Sequence, residues 1–219
     1  MKIQKLFDGV YKIEGKLATL NMVRGVRVYN EDFAEDDGRQ YRLWNPYRSK
    51  LSAAIMNGLK DLEIKKGSHV LYLGAATGTT ASHVSDIVGE KGVVYCIEIS
   101  ERSMRDLLKV CATRQNLLPI LQDARNADAY AQDVGKADAI YMDVAAKDQD
   151  LILISNAELL KTGGYAYVAI KSQSIDVARH PKLVFEDFLK SVSQKFEVVQ
   201  EIDIEPYDSM HLFVVLKKR

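Results

Sequence analysis

From residue 67 onward, short apolar runs alternate with segments whose hydrophobic positions recur every three to four residues. The runs at 69–73, 93–97, 118–121, 137–142 and 165–170 read as buried strands. Residues 79–88 read as a helix, as does the stretch carrying Met104, Leu107, Leu108 and Cys111 on one face. A third helix is expected over 150–160, ended by Gly163-Gly164. A fourth places Phe185, Phe188, Leu189 and Val192 at i, i+3, i+4 and i+7. Two longer strands, 197–204 and 211–216, close the chain, with Glu205-Pro206-Tyr207-Asp208 between them. A link that short holds no helical crossover, so these two strands pair antiparallel. The alternation predicts a Rossmann-like α/β sheet of seven strands, mostly parallel, with an antiparallel last strand.

The first stretch reads differently. Residues 9–13, 26–29 and 41–44 are rich in β-branched and aromatic side chains and predict short antiparallel strands, with a charged loop over 31–39. Asn45-Pro46 predicts a helix start, Asn as cap and Pro in the first turn, followed by Leu51, Ala54, Ile55, Leu59 and Leu62 at helical spacing. A small N-terminal β domain over 1–50 and an α/β domain over 51–219 are therefore expected. There are no internal repeats and no low-complexity segment.

Composition narrows the function. The 219 residues are 47% hydrophobic and 27% charged, enough for a buried core under a polar surface. Lysine plus arginine and aspartate plus glutamate each total 30, so a protein that coats nucleic acid by charge alone is excluded, though a local basic patch is not. No apolar stretch is long enough to cross a bilayer and no signal-peptide pattern opens the chain, so a soluble intracellular protein is expected. Cys96 and Cys111 lack CxxC spacing and read as reduced, buried thiols; the four histidines show no HExxH-like spacing, so no metal site is expected.

The segment from Leu71 to Thr80 runs from strand through small residues into a helix. Gly74, Ala75, Ala76 and Gly78 would let a ligand approach the backbone, and the helix start at Thr79 and Thr80 offers free N–H groups. The spacing lacks a clean GxGxxG, which a nicotinamide-dependent reductase would want. Glu98 ends the next strand, Asp123-Ala124 follows the third, and Asp143 the fourth. Acids at the carboxyl ends of parallel strands suit a cationic ligand, and S-adenosyl-L-methionine, with its positive sulfur and its ribose, fits them. The antiparallel final hairpin suits a methyltransferase sheet by fold analogy.

Lys171 ends the fifth strand, and an antiparallel last strand would begin at the same edge with His211. Lys50, in the first turn of the helix entering the domain, could cover that edge. Taken singly, these are a strand-end lysine, a capping histidine and a surface lysine; the shared edge joins them with Asp143 into a candidate catalytic set. Methyl transfer to a ribose 2′-hydroxyl needs the oxygen stripped of its proton and aligned. Lys171 is the candidate base, with the ammonium of Lys50 nearby to help it give up its own proton. Asp143 would steer Lys171 and the cofactor, and His211 would hold the oxygen or share the proton. Alignment alone, without a true base, is the alternative.

At these residues the sequence resembles the fibrillarin family, specifically its archaeal rRNA/tRNA 2′-O-methyltransferases. The resemblance lies in residues 42–51 (RLWNPYRSKL), 73–80, 82–86 (SHVSD), Asp123-Ala124-Arg125, Ala169-Ile170-Lys171 and Ser174-Ile175-Asp176. It implies the catalytic set Lys50, Asp143, Lys171 and His211. It also implies cofactor contacts at Thr79, Thr80, Glu98, Ile99, Asp123, Ala124 and the segment Asp143, Val144, Ala145 and Ala146. Membership implies work inside a box C/D ribonucleoprotein, with a guide RNA pairing to target rRNA, a Nop-domain scaffold protein and a small kink-turn-binding protein of ribosomal type. The glycine-arginine-rich arm of eukaryotic relatives is absent, which implies an archaeal, cytoplasmic member. Two positions depart from the family pattern. Ala146 and Lys147 stand where a glutamine and a proline are usual, so a side-chain contact to the methionine end of the cofactor is either missing or made by Gln149, and Met210 stands where an acid is common. A structural subunit of the same particle, with catalysis impaired, is the second reading.

Overall fold

The computed structural model describes residues 2–219. The N-terminal strands β1 (Ile3–Phe7), β2 (Val10–Ile13), β3 (Lys16–Leu20), β4 (Phe33–Asp36) and β5 (Arg39–Leu43) form one antiparallel sheet in the order β1-β2-β3-β5-β4. Glu14-Gly15 and Asp37-Gly38 close two of its hairpins, with all four residues at positive φ, as two-residue turns between right-twisted strands require. Two expectations fail here. Residues 31–39, expected as a loop, contain β4 and the Asp37-Gly38 turn. Residues 26–29, expected as a strand, are irregular, because the N–H groups of Val28 and Tyr29 bond the Glu31 carboxylate at 2.8–3.0 Å instead of a neighbouring strand.

Asn45 caps only a single 3₁₀ turn over Pro46–Arg48. The α-helix α1 (Lys50–Met56) starts afresh behind Ser49, whose hydroxyl accepts from the Ser52 N–H, and it stops short of Leu59 and Leu62. Those two leucines lie past the helix end yet remain buried.

The rest of the chain runs β6 (His69–Leu73), α2 (Thr79–Val88), β7 (Val93–Glu98), α3 (Glu101–Cys111), β8 (Leu117–Leu121), α4 (Ala131–Val134), β9 (Ala137–Met142), α5 (Gln149–Asn156), β10 (Leu160–Lys171), α6 (Ser172–Ile175), α7 (Pro181–Val192), β11 (Phe196–Asp203) and β12 (His211–Lys218). Its sheet has seven strands in the order β11-β12-β10-β9-β6-β7-β8. β12 is antiparallel to both neighbours and the β10-β9-β6-β7-β8 pairs are parallel, as the alternating pattern predicts. α5 ends earlier than its hydrophobic run suggests. Gly163-Gly164 lie inside β10, where its ladder to β9 shifts register between Leu160 and Tyr165.

Alternation along the strands sends side chains to two cores. On one face Tyr72, Tyr141 and Phe213 pack under α1, α2, α3 and the N-terminal sheet. On the other, Leu71, Ile140 and Val168 pack under α4, α5 and α7.

The N-terminal sheet is fastened to α2 by buried charge. Arg42 and Arg114 are both fully buried. Arg42 reaches Glu31 at 2.6 Å and Asp86 at 2.9 Å, and Arg114 reaches the other Asp86 oxygen at 2.5 Å. Thr19 donates to Asp86 at 2.8 Å, so its hydroxyl hydrogen is spent. His83 Nδ1, 2.8 Å from that same hydroxyl oxygen, must therefore donate, which leaves Nε2 to accept from the Tyr29 hydroxyl at 2.7 Å. The imidazole stacks on Trp44, with ring centroids 4.7 Å apart.

Burial, then the Arg42 and Arg114 guanidiniums, hold His83 well below the usual imidazole range, so it is neutral in the fold. The unfolded chain takes up a proton at this residue below pH of about 6.5, and the native state does not. Stability against urea should therefore fall as pH drops from about 6.5 toward 5, with a slope approaching about 1.4 kcal/mol per unit. His83→Gln should lose that component; an unchanged slope in the variant would refute the assignment.

Candidate active site

Strand order changes direction between β6 and β9, and the loops leaving their carboxyl ends meet there. Asp143 N–H donates to the Leu73 carbonyl at 3.0 Å, while Gly74 and Ala75 N–H groups both reach the Ile97 carbonyl. Gly74 has φ +81°, and a Cβ at this position would stand 2.9 Å from the Asp143 carbonyl oxygen. Only glycine allows these two loops so close. Ala76 follows at φ +48°, and its N–H donates to Glu98 at 2.7 Å. The other Glu98 oxygen accepts from Ser100 N–H at 2.8 Å, so one carboxylate braces the loops after β6 and β7.

These loops enclose a cleft of about 300 Å³. Of the expected contact residues, Gly74, Glu98, Ile99, Asp123, Ala124, Asp143, Val144, Ala145 and Ala146 line it, and so does Lys171. Ala75 is buried in the core beneath the loop. Thr80 is buried, its hydroxyl donating to Ser49 at 2.9 Å, and Thr79 lines a different cavity. Ser103 and Gln122, which also line the cleft, carry no pattern in the sequence that marks them. Asp123 is bound by Arg125, which also reaches Asp148 at 2.6 Å.

At the inner end of the cleft, Lys171 Nζ stands 2.7 Å from Asp143 Oδ1 and donates to the Asp143 carbonyl at 3.0 Å. Lys50 Nζ lies 3.2 Å from the same Oδ1. The β10–β12 register sets His211 directly opposite Lys171, although the two are 40 positions apart in the sequence numbering. Lys50, Asp143, Lys171 and His211 are thus brought together from four segments. Their side chains keep only 14–18% of their exposure, enough shielding for charge pairing to be stronger than on an open surface.

The two amines do not simply repel one another, because each is matched to the one carboxylate between them. A fifth member comes from the link before β12: Asp208 lies 3.5 Å from Lys50 Nζ and 2.9 Å from His211 Nδ1. The same nitrogen is 2.7 Å from the Ser209 carbonyl, which only accepts. Nδ1 therefore carries the hydrogen, and Nε2 of a neutral His211 is left with its lone pair. Asp208 is the acid that steadies His211 although Met210 stands where one is common. Gln149 is fully buried, accepts from the Lys171 N–H at 3.2 Å, and does not line the cleft. Among the described residues no three His, Cys, Asp or Glu side chains form a metal-holding group.

The fibrillarin family model matches residues 1–219. The fibrillarin-like rRNA/tRNA 2′-O-methyltransferase of Pyrococcus abyssi is 49% identical over 218 residues, covering 97% of this chain and 96% of the relative. Two solved structures are also similar. The fibrillarin of Aeropyrum pernix, in complex with natively bound S-adenosyl-L-methionine, superposes with a TM-score of 0.91 at 41% identity, covering 99% of this chain and 98% of its own. A fibrillarin bound to Nop5p superposes with a TM-score of 0.90 at 37% identity, covering 99% and 100%. A match of this extent, on the fold and cleft described above, leaves one conclusion: the chain belongs to the fibrillarin family.

Proposed function

We propose that this chain methylates ribose 2′-oxygens of rRNA and tRNA with S-adenosyl-L-methionine, as the catalytic subunit of a guide-RNA-directed box C/D ribonucleoprotein. The observation that carries this reading is the meeting of Lys50, Asp143, Lys171 and His211 beside a cleft lined with carboxylates. It favours a working enzyme over a purely structural subunit, which would have no use for four such groups at one place. The rRNA/tRNA methyltransferase relative and the S-adenosyl-L-methionine-bound fibrillarin support the chemistry. The complex with Nop5p supports a Nop-domain scaffold as partner, with the guide RNA and a kink-turn-binding protein completing the particle. No helix among the described residues is long and apolar enough to cross a membrane, and the reading implies work in the cytoplasm of an archaeal cell. In this reading residues 1–50 are a small β domain that seats Lys50, and residues 51–219 are the methyltransferase domain.

The cleft suits the cofactor in shape and charge. Its volume is at the lower end of the range for ligand sites, and the missing Cβ at Gly74 lets the Asp143 loop close against it as a wall of the cleft. Glu98, with each oxygen committed to only one backbone N–H, keeps lone pairs for ribose hydroxyls. Asp123 and the Asp143–Ala146 segment would hold the remainder. When bound, S-adenosyl-L-methionine supplies an electrophilic methyl group on a cationic sulfur.

The chain's own residues then have the following work. Lys50 Nζ donates to the ribose hydroxyl oxygen and holds it in line, while the His211 Nε2 lone pair lies beside the hydroxyl hydrogen and shares it with Lys171 until the transfer. Lys171 Nζ takes the hydroxyl proton as the oxygen gains the methyl group. The ammonium so formed sits between Asp143 Oδ1 and the Asp143 carbonyl, where its charge is matched. Lys50 draws on the same carboxylate, so Asp143 is not given wholly to Lys171 before the transfer.

Lys171→Ala, with fold and cofactor affinity kept, should lower methylation by reconstituted particles by roughly 10²- to 10⁴-fold. Turnover near the wild-type rate would remove the proposed base. Glu98→Ala should weaken cofactor binding in calorimetry by about tenfold or more. Affinity equal to wild type would show that the ribose assignment is wrong.

A further inference from the structure

The loop that brings Gly74 and Ala76 to the cofactor cleft also brings Thr77 and Thr79 to a second cavity, of about 340 Å³. Its other walls are residues 26–29, Arg48, and the face of α3 that carries Asp106 and Lys109. Three cations meet one carboxylate here. Lys109 is paired with Asp106 at 2.7 Å, which accounts for that carboxylate. Arg27 and Arg48 remain, and among the described residues neither has a carboxylate within ion-pairing distance.

Both guanidiniums are nonetheless held in place. Arg27 lies over the Phe33 ring at 4.4 Å and donates from Nε to the Glu31 carbonyl at 2.9 Å. Arg48 lies over the Tyr29 ring at 5.4 Å, and Tyr29 is fixed in turn by His83. Stacking on an aromatic face positions a guanidinium while leaving its terminal N–H groups free for an oxyanion. In a chain of zero net charge, two preorganised and unneutralised guanidiniums at one cavity form a local anion site.

The position names the anion. Arg48 precedes Lys50 by two residues, a span of at most about 7 Å, so the backbone that carries Arg48 lies within the scale of one nucleotide from the backbone that carries Lys50. We propose that Arg27 and Arg48 bind phosphodiester groups of the target RNA strand beside the nucleotide being methylated. This deepens the RNA methyltransferase reading and rests on it. The methionine carboxylate of the cofactor is the other anion that could reach this loop, and the test separates the two.

The test uses the particle reconstituted with guide RNA, scaffold protein and kink-turn-binding protein, a target RNA, and S-adenosyl-L-methionine labelled in its methyl group. Wild type is compared with an Arg27→Ala/Arg48→Ala double variant and an Arg27→Lys/Arg48→Lys double variant. The alanine pair should raise KM for target RNA by about tenfold and reduce the slope of log KM against log salt by about one to two. Its affinity for S-adenosyl-L-methionine should equal wild type, and the lysine pair should recover most of the loss. Unchanged KM and salt slope would overturn the proposal. A weaker cofactor affinity with unchanged KM for RNA would overturn it in favour of the methionine carboxylate. Failure of the alanine pair to assemble with the scaffold protein would overturn it in favour of a protein contact. A wild-type particle that does not methylate would instead overturn the reading beneath it.

Discussion

Asp143 holds two lysines that the chain delivers from opposite directions. Lys50 arrives at the start of α1 and Lys171 at the end of β10, and both close on the same carboxylate oxygen at 3.2 and 2.7 Å. Without that negative charge, the Lys50 ammonium and the ammonium that Lys171 becomes on taking the hydroxyl proton would repel at a partly shielded cleft and turn toward water. The backbone makes the carboxylate's position possible. Asp143 continues from β9 with its N–H on Leu73, and its carbonyl sits against a glycine because no side chain would fit. Asp208 extends the pattern by joining Lys50 to His211, so amines and carboxylates alternate through the cluster.

The placement of Lys50 rests in turn on a second charge arrangement, far better buried. Arg42 and Arg114 meet Asp86 and Glu31 between the N-terminal sheet and α2, with no exposure at any of these side chains beyond a trace. Removing one partner from such a group leaves a charge without a match in the interior, at a cost of about 3–5 kcal/mol. The same segment that carries Arg42 continues through Trp44, stacked on His83, into the turn and cap that begin α1. Geometry at the cleft is therefore set by packing one layer away from it.

Much of this was readable from the residues because parallel strands are buried on both faces and announce themselves as apolar runs. Once those runs are placed, the acids and amines that end them must share one edge, which is why Glu98, Asp143, Lys171 and His211 could be named together. The N-terminal sheet was less readable. Its strands are short and exposed on one side, and the Glu31 carboxylate takes the N–H groups that would have made residues 26–29 a strand. The Asp37-Gly38 pair was the available signal for the β4–β5 hairpin. Asp208 was hidden for another reason, and Gln149 was named for a different contact: each acts through a long-range contact that no local spacing encodes. Ala75 and Thr80 show the opposite limit: beside the ligand loop, their side chains are buried in packing and hydrogen bonding.

The most direct measurement of the central claim is single-turnover methylation of a guided target RNA by particles carrying Asp143→Asn, an exchange that keeps the side chain's shape and the N–H contact to Leu73 while removing its charge. If the carboxylate gathers the two lysines for catalysis, the rate should fall by roughly a hundredfold or more with the particle still assembled. A rate within a few-fold of wild type would show that the charge at Asp143 does not organise the reaction.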